Sequence, residues 1–193
     1  MIKKVLLCVS FFTLFFTGCA GRNIIKGNVF KKDGVDFIKG KYAIFPFKSA
    51  GEGKTMTGRV STDGNAIADM LTIQMLAGGY NIAERDKIDK VLEEAGFAQA
   101  VGVKDDKAIV DMGKLLGVSR IVYGSVIQYE QVSVKKSWHL ALGISARIID
   151  VKTGEPVLVC TATGTGNNIS EVLNGISEGF VKLLEEDKYY VWQ

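Results

Sequence analysis

The sequence predicts a single α/β domain in the element order βαβααβββα, its helices packed against a mixed sheet that ends in an antiparallel meander. Three observations carry this expectation. Four windows repeat apolar residues at helical spacing, short strand-like runs alternate with the first of them, and from Arg120 onward the period changes to two through three consecutive runs.

The first strand is Lys41 to Phe47, where Pro46 marks a strand end or an edge because proline cannot donate to a ladder. Lys48 to Thr62 reads as a long Gly-rich loop. Ile67, Met70, Leu71, Gln74 and Met75 then share a helical spacing between Asp63 and about Ala77, with Asp63 available as the cap. Tyr80 to Ala83 is a short second strand. Asp86 to Ala95 is a second helix with Ile88, Val91, Leu92 and Ala95 on one face. A third helix runs from Asp105 to Leu116, and Gly117 ends it, since glycine takes the left-handed conformation at little cost. In Trp138 to Ile148, the residues Trp138, Leu140, Leu142, Ile144, Ala146 and Ile148 share one strand face, with His139, Ser145 and Arg147 on the other. Arg120 to Glu130 precedes this strand, and Pro156 to Thr163 follows across the polar turn Val151 to Glu155. Ile169 to Leu184 closes the domain as an amphipathic helix.

The N-terminus reads differently. Lys3 and Lys4 precede an apolar run from Val5 to Phe16 that is too short to span a bilayer, which needs about 20 apolar residues, and suits an export signal. Phe16-Thr17-Gly18-Cys19 resembles the lipobox of bacterial lipoproteins, with Phe16 where leucine is usual. Cleavage is expected between Gly18 and Cys19, with a diacylglycerol on the Cys19 thiol. The expected organisation is a signal peptide over 1–18, a lipidated N-terminus and tether over 19–40, and the α/β domain over 41–193. Gly21 to Gly40 has no sustained period, although Val29, Phe30, Phe37 and Ile38 could dock as short extended pieces.

With Cys8 in the signal and Cys19 lipidated, only Cys160 remains, so no internal disulfide is expected and an ordinary core must hold the domain. About 175 mature residues suffice for that. Cys160 sits in an apolar run and reads as a buried, inert thiol. The chain carries 24 Lys+Arg against 21 Asp+Glu, and two of those lysines leave with the signal, so nothing points to nucleic acid as a partner.

Gly51-Glu52-Gly53-Lys54-Thr55 invites a phosphate-loop reading, but Lys48 stands where the first glycine belongs and Met56 to Thr62 separates the Lys-Thr pair from its helix. Gly164-Thr165-Gly166 lacks the third glycine of a dinucleotide fingerprint. The single histidine, His139, cannot build a histidine metal cluster, and no Gly-x-Ser-x-Gly elbow accompanies it. Glu84, Arg85 and Asp86 read as a cap and ion pair at a helix start. Lys135 and Lys136 read as a solvated hairpin tip. No catalytic, cofactor-binding or metal-binding residues are expected. Tyr189, Tyr190 and Trp192 form a candidate partner-docking patch, with folding back onto the core an equal alternative.

Several short motifs follow one another along the domain: Ala43-Ile44-Phe45-Pro46-Phe47, Ala68-Asp69-Met70-Leu71, Ile82-Ala83-Glu84-Arg85-Asp86, Leu115-Leu116-Gly117-Val118, Ile121-Val122-Tyr123-Gly124-Ser125-Val126, and Ala146-Arg147-Ile148-Ile149-Asp150 leading into Thr153-Gly154-Glu155. In this order they resemble the curli-production assembly lipoprotein family (CsgG), with the penicillin-binding-protein activator LpoB-like lipoproteins as relatives. The resemblance implies a periplasmic α/β domain tethered to the outer membrane, and Ala20 after the lipidated cysteine fits that sorting. The curli member assembles a ring-shaped pore whose subunits each add two membrane hairpins. Those need about forty extra residues, which the short connections here do not supply. Lys48 to Thr62 also lacks the aromatic residues of the pore constriction. The expectation is therefore a non-enzymatic binding or assembly module for secretion or cell-envelope biogenesis. A curli-type channel subunit and an activator of a peptidoglycan synthase are the alternatives. The partners implied are a membrane through the lipid and an envelope or secretion protein, with homo-oligomerisation left open.

Overall fold

The computed structural model describes residues 25–49, 52–55, 58–61, 63–96, 106–134 and 137–185. Its elements are β1 (Ile25–Lys31), β2 (Lys41–Ile44), β3 (Glu52–Thr55), β4 (Gly58–Ser61), α1 (Gly64–Ala77), β5 (Asn81–Ile82), α2 (Arg85–Glu94), α3 (Asp106–Leu116), β6 (Arg120–Val134), β7 (Ser137–Asp150), β8 (Pro156–Gly166) and α4 (Ile169–Glu185). The main sheet is ordered β1-β8-β7-β6-β2-β5. The crossovers through α1 and through α2 and α3 make β2 parallel to both β5 and β6, whereas short turns make β6, β7 and β8 antiparallel. The expected α/β order and terminal meander are those observed, with β1 and the β3–β4 hairpin added.

The sheet separates two cores. On one face, Tyr42, Ile44, Val122, Leu142, Ile144, Ala146, Ile148 and Leu158 pack against Ile67, Leu71 and Met75 of α1 and Val172, Ile176 and Phe180 of α4. On the other, Ala43, Phe45, Ile121 and Ile149 pack against Ile88 and Leu92 of α2 and Ile109 and Met112 of α3. The period of two in β7 thus has the predicted face from Leu142 to Ile148, while Trp138 lies beyond the helices and is 56% exposed.

Local chemistry fixes the helix ends. Asp63 Oδ1 accepts from the Asn65 amide at 2.8 Å, as expected of the cap. Gly117 ends α3 at φ +62°. Gly64 answers a closer constraint: a Cβ there would lie 1.7 Å from the Phe47 carbonyl oxygen, because the chain leaving β2 runs against the start of α1.

Three expectations change. The stretch read as tether contains β1, which pairs with β8 from Ile25↔Gly164 to Lys31↔Leu158, and Phe37 beyond it is buried. It reads weakly in sequence because an edge strand buries only one side: Val29 packs on the core while Phe30 is exposed. The expected loop after β2 contains the β3–β4 hairpin, whose glycine and polar residues carry no apolar alternation. At α2, Asp86 lies in the first turn as expected, but Glu84 at the N-cap position makes no capping hydrogen bond with its side chain.

Two substitutions separate capping from close approach. Asp63→Ala should lower stability by about 1 kcal/mol. Gly64→Ala should lower it by about 2–3 kcal/mol, because the backbone of Phe47 must move. Urea unfolding of both variants checks the order.

Candidate functional site

The parallel strands β2 and β5 end at a crevice between α1 and α2, where one crossover leaves on each face of the sheet. Open α/β sheets bind ligands at such points. Here Ile44, Ala83 and Ile88 form an apolar floor, Asp69, Thr72 and Ile73 of α1 form one wall, and Arg85 the other, around a cavity of about 220 Å³. Ile73 is 59% exposed at the rim.

Arg85 ties the two helices together. Its Nε lies 3.0 Å from Asp89 Oδ1 one turn on, a terminal nitrogen pairs with Asp69 Oδ1 at 3.7 Å, and the other donates to Asn65 Oδ1. Thr72 Oγ1 donates to the Ala68 carbonyl at 2.7 Å within its own helix. An apolar floor between walls that carry a guanidinium and a carboxylate suits an apolar side chain flanked by polar groups. Glu84, expected in the same ion-pair cluster, bonds Lys87 at 2.9 Å instead, which holds its carboxyl below the usual range.

A second polar cluster lies at the opposite end of β2. Arg120 is 8% exposed, and its guanidinium donates to the carbonyls of Asp36 (2.8 Å), Phe37 (3.3 Å) and Lys39 (2.8 Å) and to Tyr42 Oη (2.8 Å). Tyr42 Oη in turn donates to the Phe37 carbonyl at 2.6 Å. The guanidinium stacks over the rings of Phe37 and Tyr42, 5.3 and 5.5 Å from their centroids. Lys31 Nζ caps the C-terminal end of α4 by donating to the carbonyls of Leu183 and Leu184. This clamp straps residues 31–40 to the sheet. Sequence reading missed it because Arg120 reads locally as the polar start of a strand and its acceptors are backbone carbonyls about 80 residues away, as the separation of 83 between Phe37 and Arg120 shows.

The remaining sequence candidates are dispersed. Cys160 lines an apolar void of about 10 Å³, and burial pushes its thiol up to about 12. His139 sits half-buried on β7 opposite Val132. Lys54 lies in β3, which turns into β4 rather than into a helix. Among the described residues no group of three or more His, Cys, Asp and Glu could hold a metal, and no helix is long and apolar enough to cross a membrane. Gly18, Cys19, Lys135, Lys136, Tyr189, Tyr190 and Trp192 lie outside the described residues.

A family description, curli production assembly/transport component CsgG, matches residues 41–192. The chain belongs to this family. No curated protein matches it in sequence. Among solved structures, the chain is similar to the PelC dodecamer from Paraburkholderia phytofirmans at 14% identity and TM-score 0.54, over 85% of this chain and 99% of that one. It is also similar to the LpoB C-terminal domain from Salmonella enterica, at 14% identity and TM-score 0.46 over 71% and 88% of the two chains. Lipoprotein GNA1162 from Neisseria meningitidis follows at 15% identity and TM-score 0.46 over 76% and 99%. Three CsgG-like motifs in this chain, around Ala43–Phe47, Ala68–Leu71 and Ile82–Asp86, converge on the crevice.

Arg120→Met should lower stability by about 3 kcal/mol, since three carbonyls lose a buried donor. Arg120→Lys should recover little, because an ammonium cannot reproduce the fork. Urea unfolding, with amide exchange across Ile25–Gly40, checks both. Burial also pushes the hydroxyls of Tyr80 and Tyr123 up to about 12, the latter helped by its bond to Asp106, against an ordinary 10.0. A raised folded-state value stabilises the fold fully below pH 10, and that contribution is lost as pH rises towards 12. Stability should therefore hold to about pH 10 and fall above it, with the late phenolate absorbance rising in step.

Proposed function

We propose that this protein is a lipid-anchored, non-enzymatic docking and assembly module of cell-envelope biogenesis, held at the periplasmic face of the outer membrane through Cys19. Membership of the CsgG family supports the envelope role, and the apolar crevice beside Arg85 supplies a surface suited to a protein partner.

The observation that carries the choice of a docking module over a pore is the length of two connections. β7 runs only from Ser137 to His139 beyond its last partner in β8, Leu140↔Gly166, and two residues separate Gly166 from Ile169. A membrane strand needs about 9 to 11 residues, so neither end of the meander supplies an inserted hairpin. The PelC relative is a dodecamer, and a homo-oligomer of this chain is part of the proposal.

The test is crosslinking of the tagged full-length protein in intact cells, followed by size analysis and mass spectrometry. The wild type should give discrete complexes with an envelope protein. Ile73→Asp, an exposed change that leaves stability within about 0.5 kcal/mol, should abolish the heterologous complex. Cys19→Ser should release the protein from the membrane fraction. An unchanged crosslinking pattern in Ile73→Asp would refute the crevice as the docking surface.

A further inference from the structure

Strand β1 runs antiparallel to β8 with Ile25 opposite Gly164, so the chain upstream of Ile25 leaves the sheet at its Gly166 end. The same end carries the outer half of the β6–β7 hairpin. β7 pairs Leu142 with Gly164 and Leu140 with Gly166 and then continues to Ser137 without β8 beside it. The start of β1 and the outer end of the hairpin strands therefore lie at the same end of the sheet.

Their lengths also match. From Leu142 to Ser137 the hairpin advances five residues, or about 17 Å at strand spacing. From Cys19 to Ile25 the chain has six residues, which reach at most about 20 Å. A lipid on Cys19 must lie in the bilayer, so a fully extended leash leaves the tip within a few ångströms of that surface.

The side chains along the projection suit that position. Leu142, Leu140 and Trp138 share the strand face that forms the main core, yet exposure rises along them: Leu142 is fully buried, Leu140 half-buried and Trp138 56% exposed. The apolar stripe thus continues past the helices that cover it and ends in an indole. Trp is the residue that settles at headgroup depth, with an apolar ring and a donor for the wet side. The residues joining the strands are lysines in the sequence, whereas Glu130, the carboxylate of the outer hairpin, lies on the opposite face across from Ala141.

We propose that the outer end of the β6–β7 hairpin rests on the anionic phospholipid surface that holds the lipid anchor, with Trp138 seated among the headgroups and the domain thereby fixed in one orientation. This rests on the lipidation of Cys19. The contact is peripheral, since β7 runs only three residues beyond its last partner in β8, too few to cross.

The chain has two tryptophans, so Trp192→Phe leaves Trp138 as the sole reporter. The full-length acylated variant is reconstituted into vesicles of phosphatidylethanolamine and phosphatidylglycerol and compared with its unlipidated Cys19→Ser form in solution. In vesicles the emission should shift to the blue, lipids brominated near the headgroup should quench it, and acrylamide quenching should fall by about three-fold or more. Unchanged acrylamide access in vesicle-bound, acylated protein overturns the orientation while leaving the anchor intact. Protection from acrylamide without quenching by brominated lipid means that a protein surface covers Trp138, and also overturns it. A native protein whose mass shows no acyl group on Cys19 removes the anchor, and the proposal with it.

Discussion

Successive side chains of β2 point to opposite faces of the sheet, and both faces are buried. Tyr42 and Ile44 enter the core beneath α1 and α4, while Ala43 and Phe45 enter the core beneath α2 and α3. Four residues thereby fix both helical layers, and the parallel pairing of β2 with β5 and β6 fixes what lies at its ends. At its C-terminal end the diverging crossovers open the crevice bounded by Asp69, Thr72 and Arg85. At its N-terminal end the register Tyr42↔Arg120 puts the guanidinium against Tyr42 Oη and the strap. A slip of one residue would exchange the two cores and separate Arg120 from its acceptors.

That arrangement explains what the sequence made legible. The helices α1, α2, α3 and α4 each bury a single stripe, so their apolar spacing survives as a readable pattern, and the β7 face from Leu142 to Ile148 survives for the same reason. β1 reads as tether in the sequence because its pairing partner lies more than 130 residues away, as the Asn28 to Thr161 separation of 133 illustrates, and Asn28 and Phe30 on its outer side are exposed. The β3–β4 hairpin reads as loop because Gly53 and Gly58 interrupt any alternation. The crevice was the least legible feature. Arg85 and Asp69 look locally like a helix-start ion pair and a surface carboxylate, and only the parallel sheet brings them to one mouth.

The strap changes how force and position pass from an N-terminal attachment into the domain. A slack tether lets a domain tumble, whereas here residues 25–40 are held by the β8 ladder, by Lys31 on the end of α4, by the Lys32–Glu155 ion pair at 2.6 Å, by buried Phe37 and by Arg120. The exposed ion pair adds little by itself. The clamp adds more, because the Arg120 guanidinium and its bonds to the Phe37 carbonyl and Tyr42 Oη are buried. Folding of the main core and docking of residues 31–40 are consequently one event: Phe37 and Tyr42 belong to the same core that α1 and α4 complete.

Connection length then separates two uses of one scaffold. In a sheet of this topology the β6–β7 and β8–α4 connections lie at one end, and a chain that lengthens both can carry its strands through a bilayer. Here β7 runs only three residues past Leu140↔Gly166 and two residues separate Gly166 from Ile169, too few to span a bilayer or to close a barrel in which backbone groups would be satisfied. What persists is the apolar stripe running outward from Leu142 to Trp138. On a freely soluble domain that stripe would be expected to turn polar where its covering helices stop. Its continuation to an indole is intelligible if the end of the sheet meets a surface that is neither water nor protein interior.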